Sequence, residues 1–405
     1  MVNIAVLGYG TVGSGVVEVV NTNTENINKK AGDEINIKYV LDLRDFPGDP
    51  IQEKVVHDFD VILNDPEIKI VVEVMGGVEP AYTFVRKALE AGKSVCTSNK
   101  ELVAKHGPTL LEIARQKNIN FLFEASVGGG IPIIRPLNSS LTADEIREIT
   151  GILNGTTNYI LSKMADEGWE FEDALKKAQE LGYAERNPEA DVEGYDACRK
   201  IAILSSLAFG NHVDYEDIFT EGISKITARD IQYAKKLGMA IKLLASSKRV
   251  DDNFYAMVAP FMVGHSHPLY SVNDVFNAIF VNGNVLGDVM FYGSGAGKLP
   301  TASAVVSDVV DATKHLQRNV MSFWSSKKLE LTSISNAERQ FFVRVQGTKE
   351  NCLEKVEEYF GTVDVVSLDN VKDEFGFVTG VMTEQAYKEA ANQFDNIIGM
   401  IRIEG

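Results

Sequence analysis

Short apolar runs alternate with helically spaced stretches through the first third of the chain. Ile4-Ala5-Val6-Leu7 is an apolar run ending at Gly8, and helical spacing follows from Thr11 to about Asn21. Further strands are expected at 35–43 and 70–74. The pattern then repeats helix and strand through 82–91, 94–97, 108–117 and 120–124. Strands alternating with helices predict a parallel sheet with crossover helices. Because these strands are apolar throughout, they should be buried on both faces.

The character changes near Pro136. Helical patterns are expected at 159–167, 171–181, 196–209 and 228–246, with strands at 148–153, 255–263 and 289–292 between them. This predicts an α+β domain whose sheet is covered by helices. A helix at 301–316 is expected to pack back on the first domain. The polar stretch 327–338 reads as a linker. Beyond it comes strand (340–346), helix (350–360), strand (363–368), strand (376–382), helix (384–393) and strand (397–403), a ferredoxin-like βαββαβ order. The expected fold class is α/β with three domains. They are a dinucleotide-binding domain at 1–135, a substrate-binding and dimerisation domain at 136–325, and a ferredoxin-like domain at 340–405.

Composition narrows the classes of partner. The 405 residues carry 40 Lys and Arg against 57 Asp and Glu, a formal net charge of −17. Such an acidic balance argues against nucleic acid and anionic membrane as partners. Three scattered cysteines suggest neither a disulfide framework nor a CxxC metal site. No signal-like start or spanning apolar run is visible, so a cytoplasmic protein is expected.

Gly8-Tyr9-Gly10-Thr11-Val12-Gly13 is a GxGxxG between an apolar strand and a helix, the context in which that motif binds a dinucleotide pyrophosphate. Gly8, Gly10, Thr11, Val12 and Gly13 are therefore candidate cofactor contacts. Asp42 and Arg44 lie at the end of the second strand. An acid there accepts from a ribose 2′-hydroxyl, as NAD requires, whereas an arginine pairs with the 2′-phosphate of NADP. Both are present, and the choice stays open.

Thr97-Ser98-Asn99-Lys100 runs from a strand end into a helix, where ligands gather in open α/β sheets. Lys100 can polarise a carbonyl there, although it reads equally as a surface lysine. The segment from Gly182 to Lys200 is rich in Gly, Pro and acids. It places Asp196 and Lys200 four residues apart on one helix face. Acids beside a lysine suit a zwitterionic amino acid. A lysine serves as acid and base if burial and a neighbouring positive charge lower its pKa. An ordinary i,i+4 surface pair is the alternative reading.

Taken in order, several motifs resemble homoserine dehydrogenases across about residues 1–320. They are the GxGxxG, Thr97–Lys100, Gly151-Ile152-Leu153-Asn154-Gly155-Thr156-Thr157-Asn158-Tyr159, Asp191–Asp196 with Lys200, His267-Pro268-Leu269, and Gly293–Gly297 followed by Pro300–Ala304. The resemblance implies NAD(P)-dependent interconversion of L-homoserine and L-aspartate 4-semialdehyde. It implies Lys200 as proton donor, Lys100 assisting at the reacting oxygen, and Asp196 as a further catalytic or site-organising acid. Glu185, Asp191, Asp196, Gly155 and Thr156 are implied as substrate contacts. Arg44, Ser98, Lys100, Gly182 and Gly297 join the implied cofactor contacts. Glu124, Val127, Gly129 and Ile131 are implied to hold Na+ or K+. The last 65 or so residues resemble an ACT regulatory module, which implies a threonine effector. The brevity of this copy leaves a structural or dimerising role open. A homo-oligomer, dimer or tetramer, is expected.

Other signals are weak. His265 and His267 have no companion for a transition metal. Gly293–Lys298 lacks the spacing of an NTPase loop, and Cys96 shows no activating neighbour. A non-catalytic sensor would share the dinucleotide and ferredoxin-like parts but has no use for the lysine and acid cluster. A dehydrogenase for another small aldehyde is the remaining alternative.

Overall fold

The computed structural model describes residues 1–404; Gly405, the end of the expected third domain, lies outside them. The N-terminal sheet has six strands, all paired in parallel. Their order is Val55–Val56, Ile35–Leu41, Val2–Leu7, Ile68–Glu73, Ser94–Thr97, Phe121–Leu122. Strand order reverses beside Val2–Leu7, the position at which such sheets bind ligands beyond their carboxyl ends. Val2–Leu7 is buried throughout, as the uninterrupted apolar run requires.

Helix Lys298–Lys314 closes this sheet from a distant part of the sequence. Its Ala302, Val305 and Val309 share one core with Val16 and Val20 of helix Thr11–Thr22. Lys298 also pairs with Glu18 at 2.7 Å. The helix begins three residues before the expected start.

The second sheet is mixed. Its main path runs Gly287–Ser294, Phe276–Gly283, Ile146–Ile152, Met239–Val250, Asn253–Gly264, Ile397–Glu404, Glu338–Gln346, Glu374–Val378, Asp364–Val366. Helices Gly155–Glu167, Tyr195–Phe209 and Ala228–Lys236 pack against it. The C-terminal segment shows the ferredoxin-like order, fourth strand beside first, then third, then second. It is not a detached unit, because Ile397–Glu404 pairs in parallel with Asn253–Gly264 and makes one continuous sheet.

Several element boundaries differ from the pattern. The helix expected over 228–246 ends at Lys236, and Met239–Val250 is a strand paired along its length with Asn253–Gly264. Gly238 makes the break with φ +71, a conformation costly for other residues. Strand Phe276–Gly283 was not apparent in the sequence. The expected linker contains a short strand, Ser325–Lys328, and a turn at Ile334–Asn336. Helix Lys100–Lys117 starts eight residues before the expected 108, carrying Pro108 inside it.

Candidate active site

The glycine turn has the geometry its spacing demands. Gly8 donates its N–H to Leu41 O at 2.7 Å and has φ +97. A Cβ on Gly13 would lie 1.9 Å from Gly8 O, so only glycine lets the helix approach this closely. Gly10 precedes helix Thr11–Thr22 without any side-chain cap, and a Cβ there would meet nothing within 4 Å. The N–H groups of Thr11 and Val12 have no partner among the described residues, which fits a pyrophosphate.

Asp42 and Arg44 are bound to each other. Asp42 accepts from Tyr9 N–H at 2.8 Å, from Arg44 N–H at 3.0 Å, and from Arg44 Nε and Nη2 at 2.9 and 3.0 Å. The Arg44 bonds, despite burial and with help from Tyr9, hold this carboxyl well below the usual range. Its oxygens are already occupied, while Arg44 is exposed.

Lys100 and Lys200 converge on one carboxylate from separate parts of the sequence. Asp196 Oδ1 lies 2.8 Å from Lys100 Nζ and Oδ2 lies 2.7 Å from Lys200 Nζ. Lys200 is 8% exposed and also donates to Leu153 O at 2.8 Å. Burial alone would raise the Asp196 carboxyl, but the two ammonium groups outweigh it and hold it well below the usual range. Burial pulls the Lys100 ammonium down, yet the Asp196 carboxylate outweighs it and raises the lysine's pKa above its ordinary value. A lysine kept charged in this way suits the expected part of Lys100, polarising a carbonyl.

Asn154 completes the cluster. Its Nδ2 donates to Asp191 Oδ1 at 2.7 Å and Asp196 Oδ2 at 2.9 Å, while its Oδ1 accepts from Thr157 N–H at the helix start. The N–H groups of Gly155 and Thr156 have no partner among the described residues. Thr156 Oγ1 donates to Tyr183 O at 2.6 Å, which ties the Gly182 turn to this helix. Burial raises the Asp191 carboxyl against the Asn154 bond. Asn154 sits within a quoted motif but was not singled out. An asparagine capping a helix keeps an amide N–H2 to spare, and that was the available signal.

Two expectations need correction. Glu185 is exposed, and its carboxylate bonds no described residue; only its backbone O accepts, from Gln179. The loop from Ala184 to Pro188 carries it outward. Glu124 does not offer a free carboxylate to a cation. Its oxygens accept from the N–H groups of Ile133, Ile134 and Arg135 at 2.6, 2.8 and 2.7 Å. The backbone carbonyls of buried Val127, Gly129 and Ile131 accept no hydrogen bond from a described residue and fit a hard cation. This loop lies on the Ser294–Gly297 turn, with Gly130 N–H donating to Ser294 O at 3.1 Å.

The remaining candidates divide between the two sides. Ser98 donates its N–H to Glu73 O at 3.3 Å. Gly297 precedes the helix that packs on the GxGxxG helix, so it lies on the dinucleotide side. Gly182, with φ +76, is exposed beyond helix Phe171–Glu180.

A glycine turn at the switch point of a parallel sheet, with Lys100 beyond another strand of that sheet paired to buried Asp196 and Lys200, is the construction of an NAD(P)-dependent oxidoreductase. Comparison with known proteins narrows this further. The family model for "Homoserine dehydrogenase, NAD binding domain" matches residues 8–124, and that for "Homoserine dehydrogenase" matches 132–310. The chain belongs to the homoserine dehydrogenase family. A relative from Synechocystis is 48% identical over 317 residues, 76% of this chain and 73% of its own length. One from Helicobacter pylori is 38% identical over 99% of each. A solved homoserine dehydrogenase from Thiobacillus denitrificans is 35% identical, with TM-score 0.91 over 100% of this chain and 98% of its own. A hyperthermophilic archaeal member in complex with NADPH is 29% identical, with TM-score 0.67 over 77% of this chain and 97% of its own.

Proposed function

We propose that the protein interconverts L-homoserine and L-aspartate 4-semialdehyde with Lys200 handling the proton at the C4 oxygen and Lys100 stabilising charge on that oxygen. The observation that carries this reading is the Asp196 carboxylate shared by both ammonium groups. The nicotinamide, when bound, supplies or accepts the hydride. In the reducing direction Lys200 gives a proton to the C4 oxygen; in the oxidising direction it takes the proton back, and Asp196 holds it in line. The free N–H groups of Gly155 and Thr156, at a helix start, suit the substrate carboxylate. Asp191, joined to the cluster through Asn154, is the candidate acid for the ammonium, and exposed Glu185 joins it only by turning inward.

For the cofactor, Gly8–Gly13 holds the pyrophosphate. Ser98, Gly182 and Gly297 are candidate further contacts. With the Asp42 oxygens taken and Arg44 exposed, the end of the second strand favours a 2′-phosphate, hence NADP. A monovalent cation at Val127, Gly129 and Ile131 would brace the loop on the Ser294–Gly297 turn. Exposed Phe276, Val285, Leu286, Met290 and Tyr292 at the edge of the second sheet support a homo-oligomer, which light scattering tests. A threonine response has only the ferredoxin-like order as support, and a cytoplasmic setting only the three free cysteines.

The test is absorbance at 340 nm with homoserine and NADP+ or NAD+ in parallel, with and without threonine. Turnover is expected, faster at low cofactor with NADP+. Lys200→Ala should lower kcat by roughly 100-fold or more while changing cofactor Kd little. Near-wild-type turnover in that variant would remove Lys200 from the role.

A further inference from the structure

We propose that Glu73 is a positioning residue for the reaction: through Thr97 and Asn99 it fixes where Lys100 meets Asp196. Glu73 closes strand Ile68–Glu73, beside the switch point, and its side chain is completely buried. No cation among the described residues pairs with it; its hydrogen-bond partners are Thr97 and Met75. Instead it is used as an acceptor. Its Oε2 accepts from the Thr97 hydroxyl at 2.6 Å and its Oε1 from Met75 N–H at 2.8 Å.

The chain of bonds continues toward the site. Thr97 Oγ1 accepts from Asn99 N–H at 2.9 Å. Asn99 Oδ1 caps helix Lys100–Lys117 by accepting from Leu102 N–H at 3.1 Å, and its Nδ2 donates to Gly77 O at 2.6 Å. Ser98 N–H returns to Glu73 O. One carboxylate thus joins the ends of two adjacent parallel strands, the turn after the first and the helix cap after the second. Lys100 is the first residue of that helix, with its ammonium 2.8 Å from Asp196.

A cation at a helix start is opposed by the helix dipole, so its placement needs support from elsewhere. Burial raises the Glu73 carboxyl, while the Thr97 and Met75 bonds favour its ionised form. An unpaired buried acid is an expensive way to end a strand, and here every oxygen is spent on the geometry of the two loops. Small displacements of a charge near a reacting bond are costly to rate, which gives the arrangement a purpose.

This inference rests on the proposed role of Lys100, and a double-mutant cycle separates the two. Glu73→Gln, Lys100→Ala and their combination are assayed for kcat, KM, NADP+ Kd and melting temperature. Glu73→Gln is expected to lower kcat by roughly tenfold or more with cofactor Kd within about twofold. The double variant should be no slower than Lys100→Ala alone. Thr97→Val, which removes the relay hydroxyl and keeps the acid, should reproduce the kcat loss if Glu73→Gln folds poorly. Wild-type kcat in both Glu73→Gln and Thr97→Val, or losses that multiply in the double variant, would overturn the positioning role. Wild-type kcat in Lys100→Ala would instead overturn the reading of Lys100 on which it stands.

Discussion

Asp196 is the residue on which the charge balance of the site turns. It is buried, it bonds two lysines, and Asn154 adds a third donor. Neutralising it leaves Lys200 inside the protein without a counter-charge. Asp196→Asn should destabilise the fold by roughly 2–4 kcal/mol, toward the lower part of the range for a broken buried pair because Lys100 reaches solvent. Urea denaturation of the variant measures it, and an unchanged midpoint would mean the lysines find other partners. Activity should fall as well, since neither ammonium keeps its aim. Residue types at this site were readable from sequence because Asp196 and Lys200 lie four apart on a helix. Their meeting with Lys100 was implied only by the family resemblance, since no spacing rule joins segments nearly a hundred residues apart. Glu73 left less trace, a single acid at the end of the apolar run Ile70-Val71-Val72. The outward turn of Glu185 and the occupied carboxylate of Glu124 depend on loop backbone that no spacing rule describes.

Among elements, strand Met239–Val250 departs furthest from its pattern. Residues 228–246 read as one amphipathic helix because Met239-Ala240-Ile241-Lys242-Leu243-Leu244 continues the apolar content of the helix before it, with only Gly238 between. Partners elsewhere in the sheet decide the matter, as is usual for strands. The N-terminal elements were more legible, since parallel strands buried on both faces announce themselves as apolar runs. The same strand buries Lys242, whose Nζ donates to Val272 O at 2.5 Å, Asn273 Oδ1 at 2.8 Å and Asn158 Oδ1 at 3.3 Å. Burial lowers its pKa from 10.5 to about 8. Below that value the lysine is charged in both folded and unfolded chains. Between about 8 and 10.5 the unfolded chain holds a proton that the folded one has lost, so this residue's contribution makes stability rise with pH. Comparing Lys242→Met with wild type at roughly pH 7.5 and pH 10 should reveal on the order of 2–3 kcal/mol of that slope removed. Parallel pH dependence in the two proteins would show that Lys242 keeps an ordinary pKa.

For the whole molecule, the joining of sheets matters more than the count of domains. Ile397–Glu404 carries Arg402, which is 3% exposed and bonds both Glu384 oxygens at 2.7 and 3.1 Å and Glu221 at 2.6 Å. Glu221 belongs to the middle of the chain, so this cluster crosses the junction. Arg402→Met leaves Glu384 with Arg339 alone, at 3.2 Å, and half-buried Glu221 without a partner, and a loss of about 2–4 kcal/mol is expected. Calorimetry of the wild type should give one transition for residues 146–404. Two resolved transitions in this region would mean the C-terminal segment melts alone.

The continuous sheet also bears on the order in which the polypeptide can fold as it is made. The six-stranded sheet lacks one of its covering helices until Lys298–Lys314 has left the ribosome, and the Phe261–Val263 stretch of Asn253–Gly264 keeps an open edge until Ile397–Glu404 emerges. Both halves therefore wait on segments synthesised well after them, and a nascent chain exposes unpaired strand and apolar surface until those segments emerge. Folding of both sheets is tied to the emergence of 298–314 and 397–404, and chaperone protection has most to offer before then.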